Sequence, residues 1–365
     1  MGKLLGEIGA KAILKLLKNC AKKSIYGDSV VSMGRKTGTT VGENSFAFGS
    51  NVEASGITSH AEGASTIAGT HYCHAEGNST EAYGLWSHAE GNRTASDGEG
   101  SHAEGAYTRA NNYASHAGGK YNKDMGSLGG LGNQLGDAFV IGNGTGKYEK
   151  SNALRVTYSG DVYGTKAFQS SGADYAEFIK PWYDGNEDNE DRIGYFVTVK
   201  DGLLYKADDG DYIVGITSGN PSIVGNADED YYWRYERDEF NRIVMEDVPE
   251  TIQKTDDEGN PVFDEETHMP VMVETGNIIP KARMKLAPGY DPSLQNTYIE
   301  RKDRKEWDYV GMLGVLPVRD DGTCIPGQFC KCGQGGIATF AAERGFDTYM
   351  VLQRVADNIV SIILK

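Results

Sequence analysis

Small, polar and glycine residues recur at one fixed spacing through the first half of the chain, with the same motif returning at every fourteenth position. Each repeat opens with a motif of the form S-H-A-E-G and continues with a looser T-x-A-x-G motif, as in Thr80–Gly84. Alternation with period two is typical of strands, and regularly spaced glycines mark turns. Fourteen extended residues span about 46 Å, enough for one flattened coil of two strands and two turns. The copies of the first motif are Ser59–Gly63, Cys73–Gly77, Ser87–Gly91, Ser101–Gly105 and Ser115–Gly119.

This repeat predicts a parallel β-roll over residues 26–148, in which consecutive coils stack on one another. Small residues such as Ser59, Ala61 and Gly63 are expected to fill its thin interior. Such an interior buries too little apolar area to offset the ordering entropy of a single chain. We therefore expect a homotrimer, because three rolls around one axis form a closed assembly.

The strand motif also resembles the head repeats of trimeric autotransporter adhesins and of related phage tail fibres, which read N-S-V-A-I-G. Asn44–Gly49, with the sequence N-S-F-A-F-G, matches that pattern, and the later coils carry His and Glu in place of both apolar residues. The resemblance covers about a third of the chain. It implies a mainly β fold with a trimeric, left-handed parallel β-roll.

A histidine column and a glutamate column run along the repeat, two residues apart and therefore on the same face of the strands. We expect a structural ladder in which neutral imidazoles alternate with carboxylates, or in which His–Glu ion pairs form. In the alternative, the histidines converge on the trimer axis and bind a transition metal. Otherwise we expect no metal, no cofactor and no catalysis by these repeated residues. The columns comprise His60, His74, His88, His102 and His116, and Glu62, Glu76, Glu90 and Glu104.

Aromatic residues of the roll suggest an alternative role in recognition. Tyr72, Trp86 and Tyr113 are expected at equivalent places in successive coils. An exposed row of such rings could stack on sugars, which makes a host-surface glycan the alternative partner of the roll.

Residues 1–25 carry six Lys and one Glu and predict a short amphipathic helix. We expect its apolar face to pack against symmetry mates or a docking partner, with a membrane-surface helix as the alternative. No apolar run in the sequence is long enough to span a membrane. The net charge of −16 argues against a nucleic-acid partner. The five cysteines fit neither a disulfide framework nor a zinc site, which favours free thiols and synthesis in a reducing cytoplasm.

After Lys150 the repeat ends. We expect a connector over residues 149–172 and a β-rich domain over residues 173–365, with an acidic hairpin or inserted arm at residues 228–268. Acidic runs in this half, such as Asp184–Asp191, lack the EF-hand spacing, so we expect solvated loops rather than bound calcium. Predicted strands are Tyr195–Val199, Tyr212–Thr217, Tyr309–Val318, Met350–Val355 and Asn358–Lys365.

Several ordered motifs of this half resemble the C-terminal domain of phage tail-spike and pre-neck appendage proteins. That domain is an intramolecular chaperone with autoproteolytic activity, classed with the glutamic peptidases. The resemblance implies one cleavage near Ala173–Phe178, with Asp174 and Glu177 as the acids. The matching segments are Ala173–Phe178 (A-D-Y-A-E-F), Trp182–Asn186 (W-Y-D-G-N), Val310–Gly322 and Tyr349–Val355.

Asp174 and Glu177 lie three residues apart, and we expect a turn or a first helical turn to bring their carboxyl groups together. One carboxylate can activate water while the other, protonated, assists the leaving amine. Ser170, Ser171 and Gly172 offer an accessible segment to cut, and attack by a serine hydroxyl is the alternative route. Without catalysis, Asp174 caps a turn and Glu177 is a surface charge.

The sequence as a whole predicts a structural, homotrimeric phage or prophage tail-fibre or appendage protein of the virion. Its N-terminus is expected to dock to other tail or baseplate proteins, and its C-terminal domain to assist trimer folding and to cleave itself off once. One alternative is a receptor- or glycan-binding module with a permanent, non-catalytic cap. The other is a bacterial surface adhesin, against which the missing signal peptide and membrane anchor speak.

Overall fold

The structure, a computed structural model, describes residues 31–124, 136–227, 234–257, 262–264 and 270–365. The regular elements of these residues are strands, apart from three short 3-10 helices. The prediction of a mainly β protein is therefore confirmed. Among these residues, no helix is long and apolar enough to cross a membrane.

The chain divides into two compact units. The first contains the described residues up to Ala167 together with Met245–Lys285, and the second contains Phe168–Val244 together with Leu286–Lys365. The helix predicted over residues 1–25 lies outside the described residues.

The first unit consists of the repeat region, the strands that continue its sheet, and an antiparallel hairpin. Residues 46–50 and the later S-H-A-E-G segments form one sheet, and the short T-x-A segments form the other. Its strands are β1 (Val31–Arg35), β2 (Phe46–Ala54), β3 (His60–Ala64), β4 (Ile67–Ala68), β5 (His74–Asn78), β6 (Glu81–Ala82), β7 (His88–Asn92), β8 (Ala95–Ser96), β9 (His102–Ala103), β10 (Arg109–Ala110), β11 (His116–Lys120), β12 (Asp137–Asn143), β13 (Asn152–Thr157), β14 (Val162–Gly164), β20 (Met245–Gln253) and β21 (Met272–Met284).

The repeat strands are parallel and pair in register at the period of the sequence. His60 pairs with His74, His74 with His88, and His88 with His102. Each coil therefore adds one strand to each sheet, as the spacing of the repeat predicted. The result is a β-solenoid.

Four small side chains per coil fill the interior, because every second residue of each strand points inward. None is larger than threonine or cysteine in the S-H-A-E-G coils, so the interior is thin, as expected. The buried positions are Ser59, Ala61, Thr66, Ala68, Cys73, Ala75, Thr80, Ala82, Ser87, Ala89, Thr94, Ser96, Ser101, Ala103, Thr108, Ala110, Ser115 and Ala117.

Gly63 does not belong to this interior, contrary to the prediction. It is exposed within β3, one residue before the strand ends, and has a φ of +108°, a conformation that residues with a side chain rarely adopt. A Cβ atom there would lie 2.1 Å from the carbonyl oxygen of Gly77 in the next coil. The glycine column therefore permits close stacking of the coils at a turn.

Beyond the repeat, the same sheet continues. Strand β12 pairs parallel with β11, and β13 and β14 follow as antiparallel strands. Strands β13 and β14 lie within the connector predicted over residues 149–172. The first part of that connector, up to Gly164, thus extends the sheet of the roll. The acidic arm predicted over residues 228–268 contains β20, but the strand that pairs with it antiparallel, β21, lies beyond the predicted arm.

The second unit is a mainly antiparallel sheet with an apolar core. Its strands are β15 (Asp174–Glu177), β16 (Phe196–Lys200), β17 (Leu203–Lys206), β18 (Gly215–Thr217), β19 (Ile223–Gly225), β22 (Val310–Arg319), β23 (Phe329–Cys332), β24 (Ala338–Ala341), β25 (Tyr349–Ala356) and β26 (Ile359–Leu364), and the 3-10 helices are Pro292–Thr297, Arg301–Asp303 and Gln334–Gly336. The sheet order is β17-β16-β18-β22-β26-β25-β23-β24, and off this path β15 pairs with both β22 and β19. Large buried side chains such as Phe196, Ile216 and Leu316 form the core.

The W-Y-D-G-N motif anchors a loop of this unit through one buried arginine. The guanidinium of Arg192 lies 4.6 Å from the ring centroid of Trp182 and donates two hydrogen bonds, of 2.8 and 2.7 Å, to Asp184. Its Nε donates to Glu190 at 3.0 Å, and Trp182 Nε1 donates to Asp308 at 2.7 Å. The acidic run predicted as a solvated loop thus supplies partners for Arg192.

The ion pair of Asp184 and Arg192 predicts how the stability of the fold depends on pH. The hydrogen bonds from Arg192 lower the pKa of Asp184 to about 2, from an ordinary value of 3.8. Asp184→Asn should therefore cost about 1.5–3 kcal/mol at pH 7. Because the folded-state pKa is depressed, the contribution is present above about pH 4 and is lost as the pH falls through 2. Urea unfolding of wild type and variant across pH 2–7 measures it.

The exposed Glu187 in the same loop is the matched control, since its contact with Lys305, at 3.4 Å, is at the surface. Glu187→Gln should change stability little. A difference between wild type and Asp184→Asn that stayed constant down to pH 2 would contradict this account of the loop.

Candidate functional site

Asp174 opens strand β15 and is buried between two neighbouring strands. Its strand pairs antiparallel with β22 and parallel with β19. One carboxyl oxygen, Oδ1, accepts a hydrogen bond of 3.1 Å from the hydroxyl of Ser218, while Oδ2 is buried without a hydrogen-bond partner. Burial raises the pKa of Asp174, and the hydrogen bond from Ser218 opposes this in part. Asp174 therefore keeps its proton to a higher pH than an exposed aspartate.

Two glycines of β22 make room for this carboxyl group. A Cβ atom at Gly311 would lie 2.7 Å from Asp174 Oδ2, and one at Gly314 would lie 2.3 Å from the carbonyl oxygen of Ala173. Gly314 also has a φ of +126°. The glycines of the V-G-M-L-G sequence thus allow β15 to approach β22 closely.

Glu177 does not lie beside Asp174, contrary to the expected turn. The two residues stand at the ends of β15, a strand in which Asp174 and Ala176 are buried while Tyr175 and Glu177 face the other side. Glu177 there accepts a hydrogen bond from the hydroxyl of Tyr175. A spacing of three places side chains on opposite faces of a strand. The two carboxyl groups of one chain are therefore separated by the backbone.

The predicted cleavage region is accessible. Residues 168–171 are exposed, and the backbone from residue 168 to residue 173 forms neither helix nor strand. The amide of Gly172 donates a hydrogen bond of 3.1 Å to the hydroxyl of Ser170, and Ser171 is exposed beside it. This irregular segment leads directly into the buried Asp174.

Ser218 was missed by the sequence analysis. It lies 44 residues from Asp174, and nothing in its local sequence marks it. Its position directly after the predicted strand Tyr212–Thr217 was an indication of its place in the fold but not of its role. Pairing of β18 and β15 with the same strand, β22, brings the two residues together.

The histidines of the roll stack on one another along the outer face of the sheet that contains β3, β5, β7, β9 and β11. We call this surface, with its His60–His116 and Glu62–Glu104 columns, the ladder face. Neighbouring rings from His60 to His102 are nearly parallel, with centroids 4.4–4.7 Å apart. In-register pairing thus keeps the histidine and glutamate columns separate instead of alternating them.

Contacts between the two columns are loose. His102 lies 3.6 Å from Glu90 and His116 lies 3.3 Å from Glu104, each one coil back, whereas His60 contacts Glu62 of its own coil at 3.5 Å. Burial, together with the neighbouring histidines, lowers the pKa of His102. The neutral imidazole predicted for the ladder is favoured at this position.

The aromatic row is interrupted. Tyr72 and Trp86 occupy equivalent left-handed turn positions, but Gly100 and Ala114 take the next two places in that column. Tyr113 is one residue out of the column, and its carbonyl accepts a hydrogen bond from the hydroxyl of Tyr158. A continuous stacking platform of Tyr72, Trp86 and Tyr113 is therefore not formed. A glycan contact at Tyr72 and Trp86 alone stays a prediction.

The chain is similar in sequence to phage and phage-related proteins. The chain is 27% identical over 232 residues to the pre-neck appendage protein of Bacillus phage B103, covering 63% of this chain and 21% of the relative. The corresponding protein of Bacillus phage phi29 is 26% identical over 223 residues, covering 57% and 22%. The putative phage-related protein YobO of Bacillus subtilis is 27% identical over 179 residues, covering 48% and 18%. The chain thus spans about a fifth of the length of these curated relatives.

The fold has a counterpart among solved structures. The crystal structure of the pre-mature bacteriophage phi29 gene product 12 aligns with a TM-score of 0.53 and 18% identity, covering 94% of this chain and 40% of that one. A family model described as Peptidase_G2, IMC autoproteolytic cleavage domain, matches residues 132–358, more than half of the chain. The chain therefore belongs to this family.

Proposed function

We propose that this chain is part of a phage appendage protein of the virion, with a structural β-roll and a second half that cuts the chain once. The observation that carries the cleavage is the accessible segment at residues 168–173, which runs directly into a buried aspartate with one unpartnered oxygen. Membership of an autoproteolytic family and likeness to pre-neck appendage proteins support the assignment.

The proposed reaction is the hydrolysis of one peptide bond. The oxygen of a water molecule attacks the carbonyl carbon, the C–N bond breaks, and the leaving nitrogen takes a proton. Asp174, whose pKa is raised, is suited to donate that proton, and Glu177 to take one from the water. Because the two lie on opposite faces of β15, we propose that Glu177 of one protomer completes the site at Asp174 of another. Such a site cuts only after assembly.

The position of the cut follows from the reach of Asp174. A side chain transfers a proton only within hydrogen-bond distance or through one water. We therefore expect the second fragment to begin between residues 169 and 177. N-terminal sequencing of that fragment measures it, and a start elsewhere contradicts the assignment. A start at Ser170 or Ser171 that persists in Asp174→Asn supports hydroxyl attack instead.

The ladder face is the surface through which we propose that three copies associate. Apolar residues follow the His and Glu columns at both ends: Phe48 pairs with Glu62, while Phe139 pairs with His116 and Ile141 with Gly118. Phe48 is 48% exposed in the single chain, and Phe139 and Ile141 are 37% and 38% exposed. Side chains of this size on one sheet face are typical of an interface.

We predict that the folded protein is an obligate trimer, because the roll's interior of Ser, Ala and Thr is too thin to stabilise one chain alone. Multi-angle light scattering of Asp174→Asn, which keeps the chain whole, should give three times the 39.6 kDa chain mass. Loss of β structure by circular dichroism should coincide with dissociation. A stable folded monomer at micromolar concentration contradicts this prediction.

We further propose that the second half of the chain aligns the three chains in the correct register before the roll assembles. A short, regular repeat can slip by one coil at little energetic cost, so a separate domain that sets the register prevents misassembly. Docking of residues 1–25 to other tail or baseplate proteins belongs to the same proposal.

A further inference from the structure

The ladder face brings metal-ligating atoms together in groups of three. One ligand atom each from Glu76, His88 and Glu90 lies within 4.8 Å of the other two, and the same holds for Glu90, His102 and Glu104. Both groups come from one chain and share Glu90. They arise because in-register stacking places the same residues one coil apart, on a rigid parallel sheet.

The distances suit ligands of a common ion better than hydrogen bonds. His102 Nε2 lies 3.6 Å from Glu90, beyond hydrogen-bond range, and is buried without a hydrogen-bond partner. The Nε2 atom of His88 is also buried without one. Two atoms bound to one tetrahedral ion at about 2.1 Å lie about 3.4 Å from each other. The ligand atoms of each group, which lie within 4.8 Å of one another, must approach to about this separation to close around an ion.

The carboxylates of the ladder face form a column of like charge. Glu76 pairs with Glu90 in register, so their carboxylates stand on neighbouring strands. Like charges placed directly opposite in a sheet are destabilising. A divalent cation bound between the carboxylates of neighbouring strands removes this repulsion and gives the histidine nitrogens a partner.

We propose that the ladder face between Glu76 and Glu104 binds divalent transition-metal ions through His88, His102 and the three neighbouring glutamates. Mixed imidazole and carboxylate ligands favour ions such as Zn²⁺, Co²⁺ and Ni²⁺ over Mg²⁺ and Ca²⁺. One chain supplies three ligands to each group, so the proposal does not depend on the proposed trimer or on cleavage. It replaces the metal-free ladder that the sequence favoured.

A third group of possible ligands, Asp320, Asp321 and Cys324, differs in one respect. Both carboxyl oxygens of Asp320 accept hydrogen bonds of 3.0 Å from Arg354. The guanidinium of Arg354 therefore already neutralises the carboxylate of Asp320. Within the described part of the chain, the glutamates of the ladder face have only histidines as ion-pair partners.

The test uses the full-length chain without an affinity tag, freed of metal by a chelator and titrated with Co²⁺ and with Zn²⁺. Co²⁺ should give a saturable visible absorption spectrum, and Zn²⁺ a saturable heat by calorimetry, with at least one ion bound per chain. The double variant His88→Gln/His102→Gln should weaken binding by at least about tenfold. His71→Gln, in the same roll but outside the ladder face, should bind as wild type does.

Glu90→Gln provides a second variant that keeps the size and polarity of the shared ligand. It should also weaken binding by at least about tenfold, because it removes a ligand from both groups. Circular dichroism shows whether each variant folds. Absence of saturable Co²⁺ and Zn²⁺ binding to the wild type overturns the proposal, as does wild-type affinity in both Glu90→Gln and the double-histidine variant.

Discussion

Asp174→Asn should abolish cleavage and leave a folded, full-length protein. The amide keeps the size of the side chain and can still bond to the hydroxyl of Ser218, which lies 3.1 Å from Asp174 in the wild type. It cannot donate a proton to the leaving amine, so the rate should fall by at least about 100-fold. Glu177→Gln should have the same effect, because it removes the proposed base. Denaturing electrophoresis and mass spectrometry of both variants measure the loss.

Matched acids in the same half of the chain provide the controls. Glu187→Gln and Asp209→Asn change exposed carboxylates that pair with Lys305 and Lys331, and both should leave cleavage unchanged. Cleavage at the wild-type rate in Asp174→Asn or in Glu177→Gln contradicts the assignment of that residue.

Co-expression of the two variants tests whether the site forms across protomers. In a mixed trimer, an intact Glu177 from one chain can meet an intact Asp174 from another. Part of the protein should then be cut, although each variant alone stays whole. Full-length protein in the mixture, with mixed trimers verified by mass, contradicts a site shared between chains.

Gly91→Ala should strongly destabilise the roll. Gly91 has a φ of +104°, and a Cβ atom there would lie 2.3 Å from the carbonyl oxygen of Gly105 in the next coil. The backbone conformation and the overlap together should cost about 2–5 kcal/mol per chain. Urea unfolding followed by circular dichroism measures the loss.

The neighbouring residue offers a matched control. Asn92 is exposed, and the equivalent positions one coil away on each side are Asn78 and Ala106. Asn92→Ala should therefore change the unfolding free energy by less than about 1 kcal/mol. If Gly91→Ala were as stable as Asn92→Ala, the glycine column would not be needed for close stacking.

The roll could be predicted from sequence because its contacts repeat at a fixed local spacing. The period of the repeat determines which residue lies above which, so the pairing of His60 with His74 follows directly from it. The prediction that Gly63 faces the interior was wrong, because alternation alone does not show where the backbone leaves the ordinary strand conformation, as it does at Gly63 with a φ of +108°. Tyr113 was misplaced by one residue, and one residue is enough to change the face on which a side chain lies.

The candidate site was less predictable because distant strands create it. Asp174 and Glu177 looked suited to a turn, yet pairing with β22 and β19 extends the segment and separates their side chains. The same pairing buries Asp174 beside Ser218. Local sequence could identify the acidic residues but not their surroundings, since the partner strands are far from them along the chain.

The intact mass of the wild-type chain under denaturing conditions tests self-cleavage most directly. Protein sampled over time after purification should convert from one species of 39.6 kDa into two fragments whose masses sum to the full chain plus one water. With a cut near Asp174, the fragments should contain about 170 and about 190 residues. Conversion that stops in Asp174→Asn supports the account. Wild-type protein that stays at full mass after long incubation as a trimer contradicts it.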